Sequence, residues 1–225
     1  MAKIKFGMMM TDASGKLGGQ VFSKNRGGSY VRTKVTPINP QSVAQSAIRS
    51  IFASISQGWS ALTDTQRQSW NSAVDSYGKT DVFGDVRNPS GKNLFQRLNQ
   101  NLAISNQTGL LVVGLPDAIP LITEPHAYLD SEGLAIAIST QGNVTGSKVV
   151  VWATPPLSAG TRFVRNRLRQ ISVITGGENL YYQVGTDYIN KLGMFTDNDN
   201  IYFGIRIINA NGQASPLQVF KGEPN

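Results

Sequence analysis

The sequence predicts a segregated α+β protein, with an extended N-terminal arm, a helical hairpin followed by a third helix, and a C-terminal antiparallel β-sandwich. Apolar residues recur at helical spacing between residues 39 and 107, whereas from residue 128 onwards they alternate with small or polar residues, as in half-buried strands. Prolines and glycines concentrate between these two stretches. We therefore predict four segments: an extended basic arm containing a β-hairpin (1–38), a helical anchoring region (39–109), a Pro-rich linker (110–127) and the sandwich (128–225).

Positive charge is concentrated in the arm. Residues 1–36 contribute +6 to the net charge of +7, because seven Lys and Arg residues stand there against one acid. Residues 37–109 contribute +2 and residues 110–225 contribute −1. This asymmetry indicates an arm that binds an anionic partner, either an acidic protein surface or nucleic acid. The candidate binding residues are Lys16, Lys24, Arg26, Tyr30, Arg32 and Lys34.

The arm also has the residues of a β-hairpin. Strand-forming residues stand on both sides of Gly27 and Gly28, which are compatible with a tight turn. A two-stranded hairpin is marginally stable alone in water, so we expect the arm to become ordered against a partner. The glycines of the arm do not have the spacing of a phosphate loop or a dinucleotide fingerprint, and no nucleotide site is expected.

The helical region contains clear start and stop signals. Asn39 can cap a helix and Pro40 suits its first position, and an apolar stripe then continues to Trp59. Thr63 and Gln66 have the spacing of a capping box for a second helix, which is predicted to end at Gly78. The short link between these helices predicts a helical hairpin. A third helix is indicated by Leu94, Phe95, Leu98 and Leu102.

The C-terminal segment contains repeated strand patterns. Its sharpest signal is the pair of strands 201–208 and 214–220, which flank the turn sequence Asn211-Gly212. Six or seven short strands in about 95 residues are typical of an immunoglobulin-like or fibronectin type III-like sandwich. Because the chain has no cysteine, no disulfide can anchor the two sheets, and the fibronectin-like form is favoured.

The sequence contains no recognisable set of catalytic or metal-ligating residues. The absence of cysteine excludes thiolate nucleophiles and cysteine-ligated zinc, and the single histidine, His126, falls in the predicted linker. Asp197 and Asp199 have a spacing seen in calcium loops but lack the glycine and glutamate that such loops require, so they predict a turn. We expect a protein that is not an enzyme, with no cofactor and no metal.

A second basic cluster lies in the predicted sandwich. In a strand, Arg165, Arg167 and Arg169 would share one face. That face could bind phosphate or an acidic partner, or it could keep the sheet soluble and unpaired. No apolar run is long enough to span a bilayer, and the apolar run near the N-terminus is too short for a signal peptide. We expect an intracellular protein without a membrane partner.

The order of motifs in residues 15–75, about a quarter of the chain, is distinctive: GKLGGQVF, SYVR, NPQSVAQSAIRSIF and WSALTDTQRQSWN. It resembles a group of small structural proteins of tailed bacteriophages and prophages, crAss-like phages among them. The predicted sandwich also resembles the immunoglobulin-like domains that phages append to capsid, tail and fibre proteins. The resemblance assigns a role to no individual residue.

This resemblance implies a virion structural protein, either an auxiliary capsid (decoration) protein or a component of the head-tail connector region. Its implied partners are other virion proteins, such as major capsid, portal or tail subunits, together with further copies of itself, in a particle assembled in the host cytoplasm. Two alternatives stay open. The basic arm could bind DNA phosphates, or the chain could be an adhesive or carbohydrate-binding module.

Overall fold

The computed structural model describes residues 2–130, 133–141, 144–158, 160–177, 181–196 and 199–224. Within these ranges the chain is a mixture of helices and mostly antiparallel sheets. No helix in the described ranges is long and apolar enough to cross a membrane.

The N-terminal segment forms a four-stranded antiparallel sheet in the order β1-β4-β3-β2. The predicted hairpin is present, with Asn25 opposite Gly28 and a two-residue turn between them. Two further strands, which the sequence did not suggest, pair with its outer edges. These strands add backbone hydrogen bonds that the isolated hairpin lacks, so the predicted hairpin is the centre of a larger sheet. The strands are β1 (Ala2–Lys3), β2 (Gly15–Leu17), β3 (Gln20–Asn25) and β4 (Gly28–Thr33).

Three helices follow, α1 (Val43–Ala61), α2 (Asp64–Ser72) and α3 (Gly91–Ile104). The capping box at the start of α2 is confirmed, since the Thr63 N–H donates to Gln66 Oε1 at 2.9 Å and the Gln66 N–H donates to Thr63 Oγ1 at 3.3 Å. Helix α2 continues as a turn of 3₁₀ helix that ends at the predicted Gly78. A short hairpin then separates α2 from α3, with strands β5 (Lys79–Thr80) and β6 (Val86–Arg87).

The predicted start of α1 is wrong by three residues. Gln41 has φ 49°, in the left-handed region, which prevents a helix from running on from Pro40. The N-cap is Ser42, whose side chain accepts a hydrogen bond from the Gln45 N–H. Asn39, the predicted cap, instead accepts a hydrogen bond at 2.8 Å from the guanidinium of Arg49.

Aromatic residues form the centre of the helical core. Trp70 is fully buried, and its ring meets that of Phe95 edge-on with 5.2 Å between centroids. Trp59 packs on Phe95 from α1 at 5.5 Å. The predicted linker closes this core, because the Trp70 indole N–H donates to the Leu111 carbonyl and the Tyr77 hydroxyl donates to the Gly114 carbonyl.

The C-terminal region contains two four-stranded sheets, ordered β10-β9-β12-β13 and β11-β8-β7-β14. One buried cluster includes alternate residues of β8, β9 and β12, so both sheets contribute to the same core. The pairing is antiparallel except that β14 runs parallel to β7, which corrects the fully antiparallel prediction. The strands are β7 (Leu121–Asp130), β8 (Gly133–Gln141), β9 (Lys148–Ala153), β10 (Arg169–Thr175), β11 (Tyr181–Gln183), β12 (Tyr202–Ile208), β13 (Gln218–Lys221) and β14 (Glu223–Pro224).

The β-hairpin around Asn211-Gly212 is confirmed, with β12 and β13 antiparallel. Its second strand begins at Gln218 rather than at residue 214. Strand β7 begins at Leu121, inside the predicted linker. A fourth helix, α4 (Gly185–Leu192), had no counterpart in the sequence prediction. It presents a fully buried Tyr188, whose hydroxyl donates to the Thr154 carbonyl at 3.0 Å.

The helical and C-terminal regions pack directly against each other. The amide of Asn101, on α3, donates to the Gly212 carbonyl at 2.8 Å, and the amide of Gln170 donates to the Ile104 carbonyl at 3.0 Å. Gly212 lies so close to α3 that a Cβ there would meet the Leu98 carbonyl group. The β12–β13 turn is therefore fitted against the helix backbone.

Candidate interaction surface

None of residues 2–61 is buried, and the first buried residue of the described chain is Leu62. This first part of the chain, the N-terminal sheet together with α1, is a quarter of the protein but adds no fully enclosed side chain to a core. It exposes many large apolar side chains, namely Met8, Met9, Met10, Leu17, Val35, Ile38, Val43, Ile48 and Phe52.

The strand register brings part of the predicted arm set together. Residues directly opposite each other in an antiparallel pair lie on the same face. Lys16 is opposite Val21, which is opposite Arg32, and Tyr30 shares that face because it lies two residues before Arg32. Lys3 is opposite Tyr30 and joins the same face. We call this surface, formed by Lys3, Lys16, Tyr30 and Arg32, the basic face.

The other predicted arm residues lie elsewhere. Lys24 is on the opposite face and pairs with Asp12, with 3.6 Å between Nζ and Oδ2. Arg26 lies in the β3–β4 turn. Lys34 follows β4, and its N–H donates to the Gly19 carbonyl at 2.8 Å. Lys16 and Arg32 are exposed, and neither pairs with an acid among the residues that the structure describes.

An acidic turn within the chain binds one end of the N-terminal sheet. Lys3 pairs with Asp81 and Lys5 with Asp85, each at 2.9 Å, and Arg87 reaches both carboxylates at 3.4 and 3.5 Å. The Asp81 side chain is 5% exposed. The hydrogen bond from Lys3, together with backbone N–H groups and Arg87, holds the pKa of Asp81 far below its usual value.

The sequence prediction missed these acids. Asp81 and Asp85 flank Gly84, which has φ +84° in the turn between β5 and β6. Two aspartates around a turn glycine, with Arg87 next to them, are a local signal of an ion-pair cluster. That they would meet Lys3 and Lys5, more than seventy residues away, is a consequence of the tertiary fold.

Helix α1 is half embedded and half free. Its C-terminal part packs on the helical core through Ile55 and Trp59. Its N-terminal part continues the same apolar stripe into solvent, where Ile48 and Phe52 are 47% and 48% exposed. The helix contains a single charged residue, Arg49, so little opposes the burial of this stripe against another surface.

The strand that the possible basic face of Arg165, Arg167 and Arg169 required is absent at Arg165 and Arg167. Arg165 and Arg167 lie in a 3₁₀ turn (Arg165–Arg167), closed by the Arg167 N–H donating to the Val164 carbonyl at 2.9 Å. Arg169 begins β10 and donates to the carbonyls of Asn166 and Leu168. The turn removes the two-residue alternation on which the shared face was predicted.

No cluster of metal-ligating side chains occurs among the described residues. His126 lies in β7 opposite Ala137, not in a linker, and its ring stacks near that of Tyr128 at 6.3 Å. Asp199 accepts a hydrogen bond from the Thr196 N–H at 2.7 Å, as a turn-forming aspartate does. Asp197 lies outside the described residues.

Comparison with known proteins gives a structural likeness for part of the chain. No family model matches the chain, and no curated protein matches it. A solved structure described as a Fn3-like protein from Clostridium thermocellum is similar over 48% of this chain and 96% of its own, with 15% sequence identity and a TM-score of 0.32.

Proposed function

We propose that this chain is a structural protein of a tailed-bacteriophage virion, either an auxiliary capsid protein or a component of the head-tail connector region. One observation carries the proposal, the absence of any buried residue in residues 2–61. A folded segment of this length that exposes Leu17, Ile48 and Phe52 gains its burial from a partner surface.

The energetics favour an assembly partner. Fully burying one large apolar side chain contributes about 1.5–3 kcal/mol, so the exposed apolar residues of the N-terminal sheet and α1 can together offset the cost of ordering them. The basic face adds charge complementarity, since Lys16 and Arg32 are free to pair with acids of a neighbouring subunit. Helix α1 and the basic face would thus bind neighbours in the particle.

The class of particle rests on the resemblance of residues 15–75 to structural proteins of tailed phages. The C-terminal region fits the same proposal as a fibronectin type III-like sandwich, with β7, β8 and β11 in one sheet and β9, β10, β12 and β13 in the other. Such a module would project from the particle or join neighbouring subunits, including further copies of this chain.

Quantitative mass spectrometry of purified particles tests the proposal. The particles are those of the phage or induced prophage whose genome encodes this chain, separated from the lysate on a density gradient. We expect peptides of the chain to sediment with the major capsid protein at a fixed ratio, while a non-structural protein of the same genome stays in the soluble fraction. A chain abundant in the lysate but missing from the particles would refute a virion role.

A DNA-binding function is the second candidate, favoured by the placement of Lys16, Tyr30 and Arg32 on one face. It predicts an affinity for DNA whose logarithm falls with the logarithm of salt concentration, by about 0.9 for each phosphate neutralised. Filter binding at several salt concentrations would show that slope reduced by about two in the K16Q/R32Q variant. The K221Q variant, which changes an exposed lysine outside the arm, should keep the wild-type slope.

A further inference from the structure

A cavity of about 520 Å³ lies where the helical and C-terminal regions meet. Its walls are the end of the 3₁₀ turn near Tyr77, helix α3, and the strand and turn residues of the β12–β13 hairpin. This volume is within the range of small-ligand sites. None of the described residues that line the cavity is acidic, and the charged side chains among them are Lys79, Arg97 and Arg206.

The two arginines reach the cavity from different parts of the fold. Arg97 lies on α3 and Arg206 on β12, and both are partly buried. Neither forms an ion pair or donates a hydrogen bond to any residue that the structure describes, and the buried Nε of Arg206 has no acceptor there. The Arg97 guanidinium lies 5.9 Å from the centre of the Tyr77 ring, a contact that leaves its N–H donors free.

A guanidinium group that is removed from water lowers the stability of the protein unless a hydrogen-bond acceptor or an anion pairs with it. Burial lowers the pKa of both guanidinium groups, yet arginine keeps its proton in proteins, so each stays charged in the cavity wall. A partly buried cation without an acceptor loses part of its hydration, and the buried Nε of Arg206 adds the cost of an unsatisfied donor. A guanidinium presents a planar set of N–H donors that matches the two oxygens of a carboxylate or a phosphate.

We propose that the cavity binds an oxyanion group, a carboxylate or a phosphate, through Arg97 and Arg206. Lys79 at the wall adds positive charge, and the Ser76 hydroxyl lies in the same wall. This site goes beyond the proposed virion function and does not depend on it. The group can come from a free small anion or from an acidic side chain of a bound polypeptide.

Isothermal titration calorimetry of the full chain tests this site with three probes: citrate, inorganic phosphate and a tetra-aspartate peptide, all at one ionic strength set with sodium chloride. We expect at least one probe to bind saturably. R97Q and R206Q should each weaken that binding at least tenfold, whereas R162Q, which changes an exposed arginine outside the cavity, should bind as the wild type does. Tighter binding of the peptide than of citrate identifies a polypeptide source, and the reverse identifies a free anion.

Two results would overturn the proposal: no saturable binding of any probe, or equal affinities in the wild type, R97Q and R206Q. If a glutamine variant fails to fold, R97K or R206K takes its place. Lysine keeps the charge but loses the planar donor set, so binding weakened in the lysine variant supports the site and unchanged binding counts against it.

Discussion

At the residue scale, Gly212 shows how closely the two regions of the chain fit. It has φ +74°, and a side chain there would contact the backbone of α3 at Leu98. Gly146 offers a matched comparison, because it has φ +80° but nothing within 4 Å of the place that a Cβ would occupy. The two glycines therefore separate the cost of a left-handed backbone from the cost of a close approach.

We expect G212A to lower the free energy of unfolding by about 3 kcal/mol, the sum of a strained backbone and overpacking against α3. G146A should lower the free energy of unfolding by about 1 kcal/mol, because only the strain of the left-handed backbone applies there. Urea denaturation followed by tryptophan fluorescence measures both. Equal losses in the two variants would show that the turn does not press on the helix.

Tyr188 makes a pH-dependent contribution to stability. Burial, and secondly the charge of Asp199, raise the pKa of Tyr188 to about 12 from its ordinary 10.0. The unfolded chain therefore loses this proton at lower pH than the folded chain, so stability is fully present below about pH 10 and is lost as pH rises towards 12. A tenfold difference in proton affinity between the folded and unfolded chain corresponds to about 1.4 kcal/mol of stability.

The Y188F variant isolates this contribution. At pH 8 it should be less stable than the wild type by about 1 kcal/mol, because the buried Thr154 carbonyl loses its donor. Between about pH 9 and pH 11 the wild type should lose more stability than Y188F, measured from urea midpoints. Parallel pH profiles for the two proteins would mean that Tyr188 titrates normally. The other tyrosines are present in both proteins, so their titration cancels in the difference between the two stability profiles.

At the element scale, α1 divides into a part that stabilises the isolated chain and a part that does not. Ile55 packs on the helical core, whereas Phe52, one turn earlier on the same stripe, is about half exposed. I55Q should lower the free energy of unfolding by about 2 kcal/mol, and F52Q by less than about 0.5 kcal/mol. Thermal denaturation of both variants checks this, and a large loss in F52Q would mean that the free stripe already has a partner within the chain.

The acidic β5–β6 turn is the attachment of the N-terminal sheet. D81N removes the negative charge that Lys3 and Arg87 share, so the sheet should exchange its amide hydrogens faster than in the wild type. Hydrogen exchange with mass spectrometry, read on peptides from residues 2–33, measures the change. D64N, at an aspartate whose side chain is 99% exposed, serves as the control and should leave these peptides unchanged. Unaltered exchange in D81N would show that other contacts hold the sheet.

The ion pairs of Asp81 with Lys3 and Arg87 also predict that the attachment of the N-terminal sheet weakens at low pH. The pKa of Asp81 is lower in the folded chain than in the unfolded chain. The Asp81 carboxylate therefore contributes fully to stability above the ordinary pKa of an aspartate, about 3.9. That stability is lost as the pH falls through the lower folded pKa. Protection of residues 2–33 should therefore persist at about pH 4 and fall at more acidic pH. Exchange measured across that range, with D81N as the reference, checks the direction.

The elements that could be predicted from the sequence are those with local causes. The Thr63–Gln66 capping box and the Asn211-Gly212 turn act over four residues or fewer, and both formed as expected. Strand β7 was missed because proline normally interrupts a sheet. Pro125 is accommodated there since β14 pairs with β7 only from Tyr128 onwards, so among the described strands Pro125 has a ladder partner on the β8 side alone.

The candidate sites were harder to predict, since they depend on distant parts of the chain. Alternation within β4 puts Tyr30 and Arg32 on one face, but the position of Lys16 depends on the register of β2 against β3. The cavity between Arg97 and Arg206 combines a helix with a strand more than one hundred residues later. No sequence pattern within either element indicates that the two guanidinium groups approach the same space.

At the scale of the whole molecule, charge and burial are separated along the chain. Residues 1–36 contribute most of the positive charge, and residues 2–61 contribute no buried side chain. The remaining chain contains both apolar cores and is close to neutral, with contributions of +2 and −1 from residues 37–109 and 110–225. The basic face and the exposed part of α1 thus lie in a different part of the chain from the buried residues of the two cores.

The late first appearance of a buried residue, at Leu62, also has a thermodynamic consequence. The dependence of unfolding free energy on denaturant concentration scales with the surface that unfolding exposes. Since residues 2–61 contain no buried residue, they bury less surface per residue than residues 62–225 do, and the slope in urea should be smaller than expected for a 225-residue protein packed throughout. When residues 2–61 are covered by a partner in an assembly, unfolding exposes that covered surface as well, so the slope and the heat-capacity change of unfolding should both rise.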